Sequence, residues 1–229
     1  MNGFILGEKS EQSQFFNDKG ERIPTTFIKT SPCYIISIKS PDTHGYGCVL
    51  MGFKKIRKTK QSVKGSITKA GVKDPLRFLR EFRLDKGKNN IQYVSEAGKP
   101  AIAMGEKKFV IGQEVKPTDM FTPGELVSVS GVGKGKGFQG VVKRHGFRGG
   151  SKTHGQSDRL RAPGAIGMTT TPGRVFKGKR MAGRMGNMRV TVQGLQVMEV
   201  SDMGLRVKGL VPGAKGGILE VRKGNQFNN

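Results

Sequence analysis

Residues 131–190 read GVGKGKGFQGVVKRHGFRGGSKTHGQSDRLRAPGAIGMTTTPGRVFKGKRMAGRMGNMRV. These sixty residues hold fourteen Lys and Arg, one acid (Asp158) and fifteen Gly, a formal net charge of +13. Their only aromatics are Phe138, Phe147 and Phe176, and no helical or strand period is sustained. Ordering such a stretch costs conformational entropy that so little apolar surface cannot offset. It therefore needs a polyanion to order it, and RNA is the polyanion that fits. A flexible linker would show Gly and Ser in runs. Here Pro163, Ile166, Pro172, Val175 and four Met are dispersed among irregularly spaced glycines. That spacing is expected where single backbone positions need a positive φ or a close approach to a partner.

The candidate RNA contacts in this stretch are Lys134, Lys136, Lys143, Arg144, His145, Arg148, Lys152, His154, Arg159, Arg161, Arg174, Lys177, Lys179, Arg180, Arg184 and Arg189. Arginine offers a planar fork to phosphate and a stacking face to an unpaired base. Farther upstream, KKIRKTK (54–60) carries five cations in seven residues and reads as a second phosphate-contacting loop through Lys54, Lys55, Arg57 and Lys58.

The whole chain has 229 residues, 34% of them hydrophobic, and a formal net charge of +24. Its mean hydropathy is −0.43 and its pI about 10.4. A modest core with a long polar excursion fits these values, as does an acidic partner. No apolar run approaches the ~20 residues that span a bilayer, so no membrane role is expected. The opening MNGFILGEKSEQ lacks the cationic and apolar regions of a signal peptide. Cys33 and Cys48 sit in apolar strand-like runs with no ligand neighbours, which predicts two buried, reduced thiols in a cytoplasmic protein.

Enzymatic chemistry finds no footing. Gly135-Lys-Gly-Phe-Gln-Gly140 matches the dinucleotide fingerprint, but VVKRHG after it reads as strand broken by Gly rather than helix. The P-loop spacing is absent, and His145 and His154 have no carboxylate or thiol at ligand spacing. No enzyme activity, metal, cofactor or small-molecule substrate is expected.

Strand-like runs flank the basic stretch on both sides. Cys33–Lys39 and Tyr46–Phe53 are β-branched and aromatic, with PDTHG between them as a hairpin loop. Ile23–Lys29, Lys107–Val115 and Leu126–Ser130 precede the stretch; Arg189–Gln193, Leu195–Val200, Leu205–Val211 and Gly217–Arg222 follow or border it. Asp74-Pro75 before LRFLREFRL predicts a short amphipathic helix. Lys86–Asn90 reads as a loop and the tail GNQFNN as frayed. The organisation expected is a mainly β protein. Residues 1–60 begin an antiparallel barrel, 61–100 form a small helical insertion, and 101–130 add barrel strands. Residues 131–188 form the basic extension, and 189–229 complete the barrel. Both ends of the extension continue into strands and so must lie close together.

Three motifs carry a resemblance. GKGKGFQGVVKRHGFRGG (133–150), RAPGAIGMTTTPGRVFKGKRMAGRMGN (161–187) and RVTVQGLQV (189–197) resemble the L-three family of bacterial large-subunit ribosomal proteins. KAGV (69–72), EFRL (81–84) and VKGLVPGAKGGILEV (207–221) extend it over nearly the whole chain. The resemblance implies a six-stranded barrel of the translation-protein type and an extension reaching through large-subunit rRNA toward the peptidyl-transferase centre. It also implies direct binding near the 3′ end of that RNA, an early role in assembly, and neighbours of the L-fourteen and L-nineteen families. Some members carry an N5-methylated glutamine before Thr-Pro-Gly. This sequence has Thr170 at the aligned place, which puts that modification in question, and its opening also departs from the usual GxKxGMT type.

Overall fold

The computed structural model describes all residues except 1–2, 85–90, 97–98, 105–106 and 225–229. In chain order the elements are β1 (Phe4–Phe16), β2 (Arg22–Lys29), β3 (Cys33–Lys39), α1 (Pro41–His44), β4 (Cys48–Lys55), α2 (Gln61–Lys69), β5 (Leu76–Arg83), β6 (Ile91–Glu96), β7 (Lys99–Met104) and β8 (Lys107–Val110). There follow α3 (Pro117–Met120), β9 (Leu126–Val132), β10 (Gly137–Gln139), α4 (Val141–His145), β11 (Gly183–Met185), β12 (Arg189–Ser201), β13 (Gly204–Lys208) and β14 (Ile218–Lys223). The chain divides into two compact units, one of residues 1–132 with 189–229 and one of residues 133–188.

In the first unit, six antiparallel strands hydrogen-bond in a closed ring ordered β1-β14-β9-β12-β13-β2. Period-two burial sets their faces. Val127 and Val129 of β9, Leu219 and Val221 of β14, and Leu205 and Val207 of β13 are buried at alternate positions. Polar Ser130 and Glu220 are buried beside them, whereas in β1 the buried run is wholly apolar: Phe4, Ile5 and Leu6. Three buried neighbours in a row mean that both faces of β1 are covered. One cover is β5, whose Phe82 stacks on Phe4 at 4.8 Å between ring centroids. A continuous core thus joins the ring to Ile35, Val49, Met51 and Phe53 of β3 and β4, and to Ile102 and Phe109 of β7 and β8. Leu6 has no exposed surface. Leu6→Ala is expected to cost about 2–5 kcal/mol of stability, read as a lowered urea midpoint with unchanged slope.

Several sequence expectations change. The strands before the basic stretch do not all enter the ring. β3, β4 and β5 form a separate three-stranded sheet, as do β6, β7 and β8. LRFLREFR is a strand, not a helix, and pairs antiparallel with β4 from Cys48↔Arg83 to Lys55↔Leu76. Leu76, Phe78 and Phe82 share strand parity as readily as Leu76, Leu79 and Phe82 share a helical face. The open edge of β4 decided between them. The helix of the 61–100 region is α2 instead, where Val63 and Ile67 lie four residues apart and Ile67 is buried. The rest of that region adds the β6–β7 hairpin. Arg189–Gln193 and Leu195–Val200 are one strand, β12, whose register with β9 shifts between Val192 and Leu195. Gly194 sits at that bulge with φ +73°, a conformation that disfavours other residues. The segment between β3 and β4 is a helical turn, α1, closed by Gly45. Lys86–Asn90 and all of the tail after Gly224 lie outside the described residues.

Candidate nucleic-acid interface

The chain leaves the ring at Val132 and re-enters it at Arg189, and these two residues face each other in the β9–β12 ladder. In the second unit the base is closed in the same way. The Gly133 amide donates to the Met188 carbonyl and the Lys136 amide to the Met185 carbonyl, both at 2.9 Å. β10 and β11 then pair through Gly137↔Met185 and Gln139↔Gly183. Gly186 makes this possible. Its φ is +74°, and a Cβ there would stand 2.2 Å from the Lys134 carbonyl oxygen.

Gly140 and Gly146 bracket α4, a helix of five residues. VVKRH is therefore helical, against the strand reading of the sequence. The match to the dinucleotide fingerprint gains nothing from this, because β10 pairs only with antiparallel β11 and builds no parallel sheet. From α4, the Arg144 Nη1 donates to the Met181 carbonyl at 2.6 Å, and the His145 Nε2 lies 3.0 Å from the same oxygen. These two candidate RNA contacts are half-buried and serve to tie α4 to the segment before β11.

Between Gly146 and Arg180 regular structure is absent. One close approach stands out: the Gly150 amide donates to the Leu160 carbonyl at 2.9 Å, and a Cβ on Gly149 would meet that oxygen at 2.1 Å. Val141 is the only buried residue in the whole 133–188 unit. Lys134, Lys136, Lys143, Arg148, Lys152, His154, Arg159, Arg161, Arg174, Lys177, Lys179, Arg180 and Arg184 are all exposed. Among the described residues, no cation of this unit forms an ion pair. Apolar side chains are exposed beside them: Phe138 is 76% and Phe176 54% accessible. Cations with open aromatic faces are what a folded RNA with phosphates and unpaired bases can use.

The remaining candidates are partly engaged within the protein. Arg189 donates to Glu220 of β14 through its two terminal guanidinium nitrogens, Nη1 at 2.9 Å and Nη2 at 2.6 Å, and the pair holds the Arg189 pKa above its usual value. Arg80 of β5 approaches the same carboxylate at 3.6 Å. Lys54 pairs with Glu8 at 2.6 Å, and Lys55 with Asp74 at 2.6 Å, whose hydrogen bond raises the Lys55 pKa. Arg57 and Lys58 are exposed. They open onto a groove that also involves Lys64 and Lys73, two cations the sequence reading did not single out. Glu220→Gln is expected to lower stability by about 1–2 kcal/mol, below the cost for a fully buried pair because Arg189 stays half-exposed. The same change should speed amide exchange at Val190 and Val192.

No cluster of three or more potential metal ligands occurs among the described residues. Burial pushes the Cys33 thiol up to about 12, which keeps it protonated and unreactive. Among the described residues, no helix is long and apolar enough to cross a membrane.

With this geometry in hand, sequence comparison decides the family. The family model described as ribosomal protein L3 matches residues 79–209. The chain belongs to the ribosomal protein L3 family. The large ribosomal subunit protein uL3 of Chloroflexus aurantiacus is 47% identical over 223 residues, covering 96% of this chain and 96% of that protein. That of Herpetosiphon aurantiacus is 45% identical over 229 residues, covering 97% and 96%. That of Acidothermus cellulolyticus is 42% identical over 222 residues, covering 95% and 90%. A member of this family is a structural component of the large ribosomal subunit and not an enzyme.

Proposed function

We propose that the chain binds large-subunit rRNA directly, with residues 133–188 as its principal contact. The reading rests on one observation above all. That unit carries thirteen Lys and Arg against one acid, holds none of those cations in an ion pair, and buries only Val141. Self-repulsion at such density is relieved when phosphates replace condensed counterions. We further propose that the six-stranded ring is the barrel of the translation-protein type and anchors this unit. The motifs of 133–187 favour a course toward the peptidyl-transferase centre, with Ser151–Thr171, the part farthest in sequence from both anchoring strands, lying deepest. Binding near the 3′ end of the RNA, an early role in assembly and contact with proteins of the L-fourteen and L-nineteen families belong to the same reading.

Sedimentation of cell extract in high salt tests it. A component held by a threaded contact co-migrates with the large subunit after salt has stripped loosely bound protein. Release into the supernatant with bulk RNA-binding proteins would mean a free, nonspecific RNA binder instead.

A further inference from the structure

β1 and β2 run on past the ring as a two-stranded hairpin. β1 pairs with β14 only as far as Glu8↔Ile218, and the Lys9 amide and carbonyl make the last contacts on that side, to Gly217 and Gly216. From Gln12↔Thr26 to Phe16↔Arg22, β1 pairs with β2 alone. Among the described residues no strand covers its other edge there. The Gly209 amide donates to the Pro24 carbonyl at 2.8 Å, so Pro24 turns toward β13. Gln14 stands opposite Pro24, and in an antiparallel ladder such a pair faces outward on both strands. The backbone amide and carbonyl of Gln14 therefore face the open edge, and by alternation so do those of Gln12 and Phe16.

Sheet edges are ordinarily blunted by Lys or Pro. Residues 10–16, SEQSQFF, hold neither. They expose Phe15 (45%) and Phe16 (55%) instead, and Leu210, 66% exposed, follows the Gly209 contact at the base of the hairpin. Charge also sets this surface apart. Residues 10–21 carry Glu11, Asp18 and Glu21 against Lys19 alone, a formal −2 in a chain of +24. The three acids are exposed and, among the described residues, none is held in an ion pair.

We propose that this edge seats an extended, cationic segment of a neighbouring protein in the large subunit, added to β1 as a further strand. The outward backbone groups of Gln12, Gln14 and Phe16 supply the ladder that holds it. Its alternating side chains pack beside Phe15 on one face and Phe16 on the other. Lys and Arg along it meet Glu11, Asp18 and Glu21, which fixes its charge and favours it over other extended chains. RNA does not fit the same surface, because its phosphates would face three acids and it has no peptide groups with which to continue a sheet. The proposal rests on the chain's place in the large subunit and is independent of whether residues 133–188 bind rRNA.

The test uses large subunits isolated from cells in which the photoreactive p-benzoylphenylalanine replaces Phe16 of the full chain. Irradiation should join position 16 to one protein, at a peptide in which Lys and Arg outnumber Asp and Glu. Gln14→Pro removes an outward amide without costing a hydrogen bond to β2, and should lower the yield of that product about tenfold. Glu11→Lys with Asp18→Lys leaves the backbone edge intact and should lower it about threefold through charge alone. Attachment to RNA, attachment to an acidic segment, or no product at all would overturn the proposal. Wild-type yield in both variants would do the same. The same photoreactive residue at Lys152, in parallel subunits, reports on the rRNA-binding reading. Absence of an RNA product there would sink that reading and leave the hairpin result standing.

Discussion

Replacing Lys134, Lys136, Lys143, Lys177, Lys179 and Arg180 together by glutamine is expected to weaken binding of large-subunit rRNA by about a thousandfold near 0.15 M salt. The slope of log affinity against log salt should flatten by about 5, close to one counterion for each phosphate that the variant no longer neutralises. These six side chains are exposed and unpaired, so the change removes charge without disturbing the interior of the unit. Arg144 is left in place for that reason, since its guanidinium holds the Met181 carbonyl. A wild-type salt slope in the sixfold variant would mean that these cations face solvent in the complex.

The second large effect concerns the base of the same unit. Gly186→Ala places a Cβ 2.2 Å from the Lys134 carbonyl and 3.1 Å from the Gly135 Cα, at a φ of +74°. The atoms it meets are backbone, so a rotamer change cannot relieve the clash. The strained φ adds about 1–3 kcal/mol. The unit has one buried side chain and a short ladder, β10–β11, with which to resist. That ladder should open, and rRNA affinity should fall about tenfold as the two chain ends lose their fixed spacing. Amide exchange reads the outcome. In the wild-type free protein the Gly133 and Lys136 amides should be protected, because each donates to a carbonyl across the base. Most amides from 147 to 180 should exchange rapidly. In Gly186→Ala the Gly133 and Lys136 protection should vanish while Val129 and Val221 in the ring stay protected. Undiminished protection at Lys136 would show that the close approach is not what holds the base.

The backbone contacts at the base of the unit also refine what composition alone implies. Low apolar content predicts disorder over all of 133–187 in the absence of RNA. Positive-φ glycines and backbone hydrogen bonds, which leave no hydropathy signal, close the base of the unit at 133–139 and 183–188 and confine the open part to its middle. Elsewhere, period-two runs such as LVSVS and ILEV reveal strands directly, because alternation is what one buried face writes into a sequence. Which sheet a strand joins is not written locally. Nothing within CYIISIK or YGCVLMGF says that β3 and β4 stay out of the ring. LRFLREFR became a strand because β4 offered an edge. The interface was legible as charge density but not as availability. Lys54 and Lys55 look like their neighbours until Glu8 and Asp74 are seen beside them. Arg189 looks like a phosphate ligand until Glu220 is seen across the ladder. Lys64 and Lys73 were missed because the turn at Gly71, with φ +80°, is what brings their segments around one groove.

Directed cleavage from the protein tests the central claim most directly. Cys33 and Cys48 are both buried, so an introduced surface cysteine can be labelled alone. Ser151→Cys and Lys19→Cys chains, each carrying a tethered iron chelate, would be assembled into large subunits and triggered to generate hydroxyl radicals. The account predicts strong rRNA cleavage from position 151 within the interior of the subunit, including the peptidyl-transferase region, and a different, peripheral set from position 19. Cleavage from position 151 confined to the subunit surface, or absent, would contradict it.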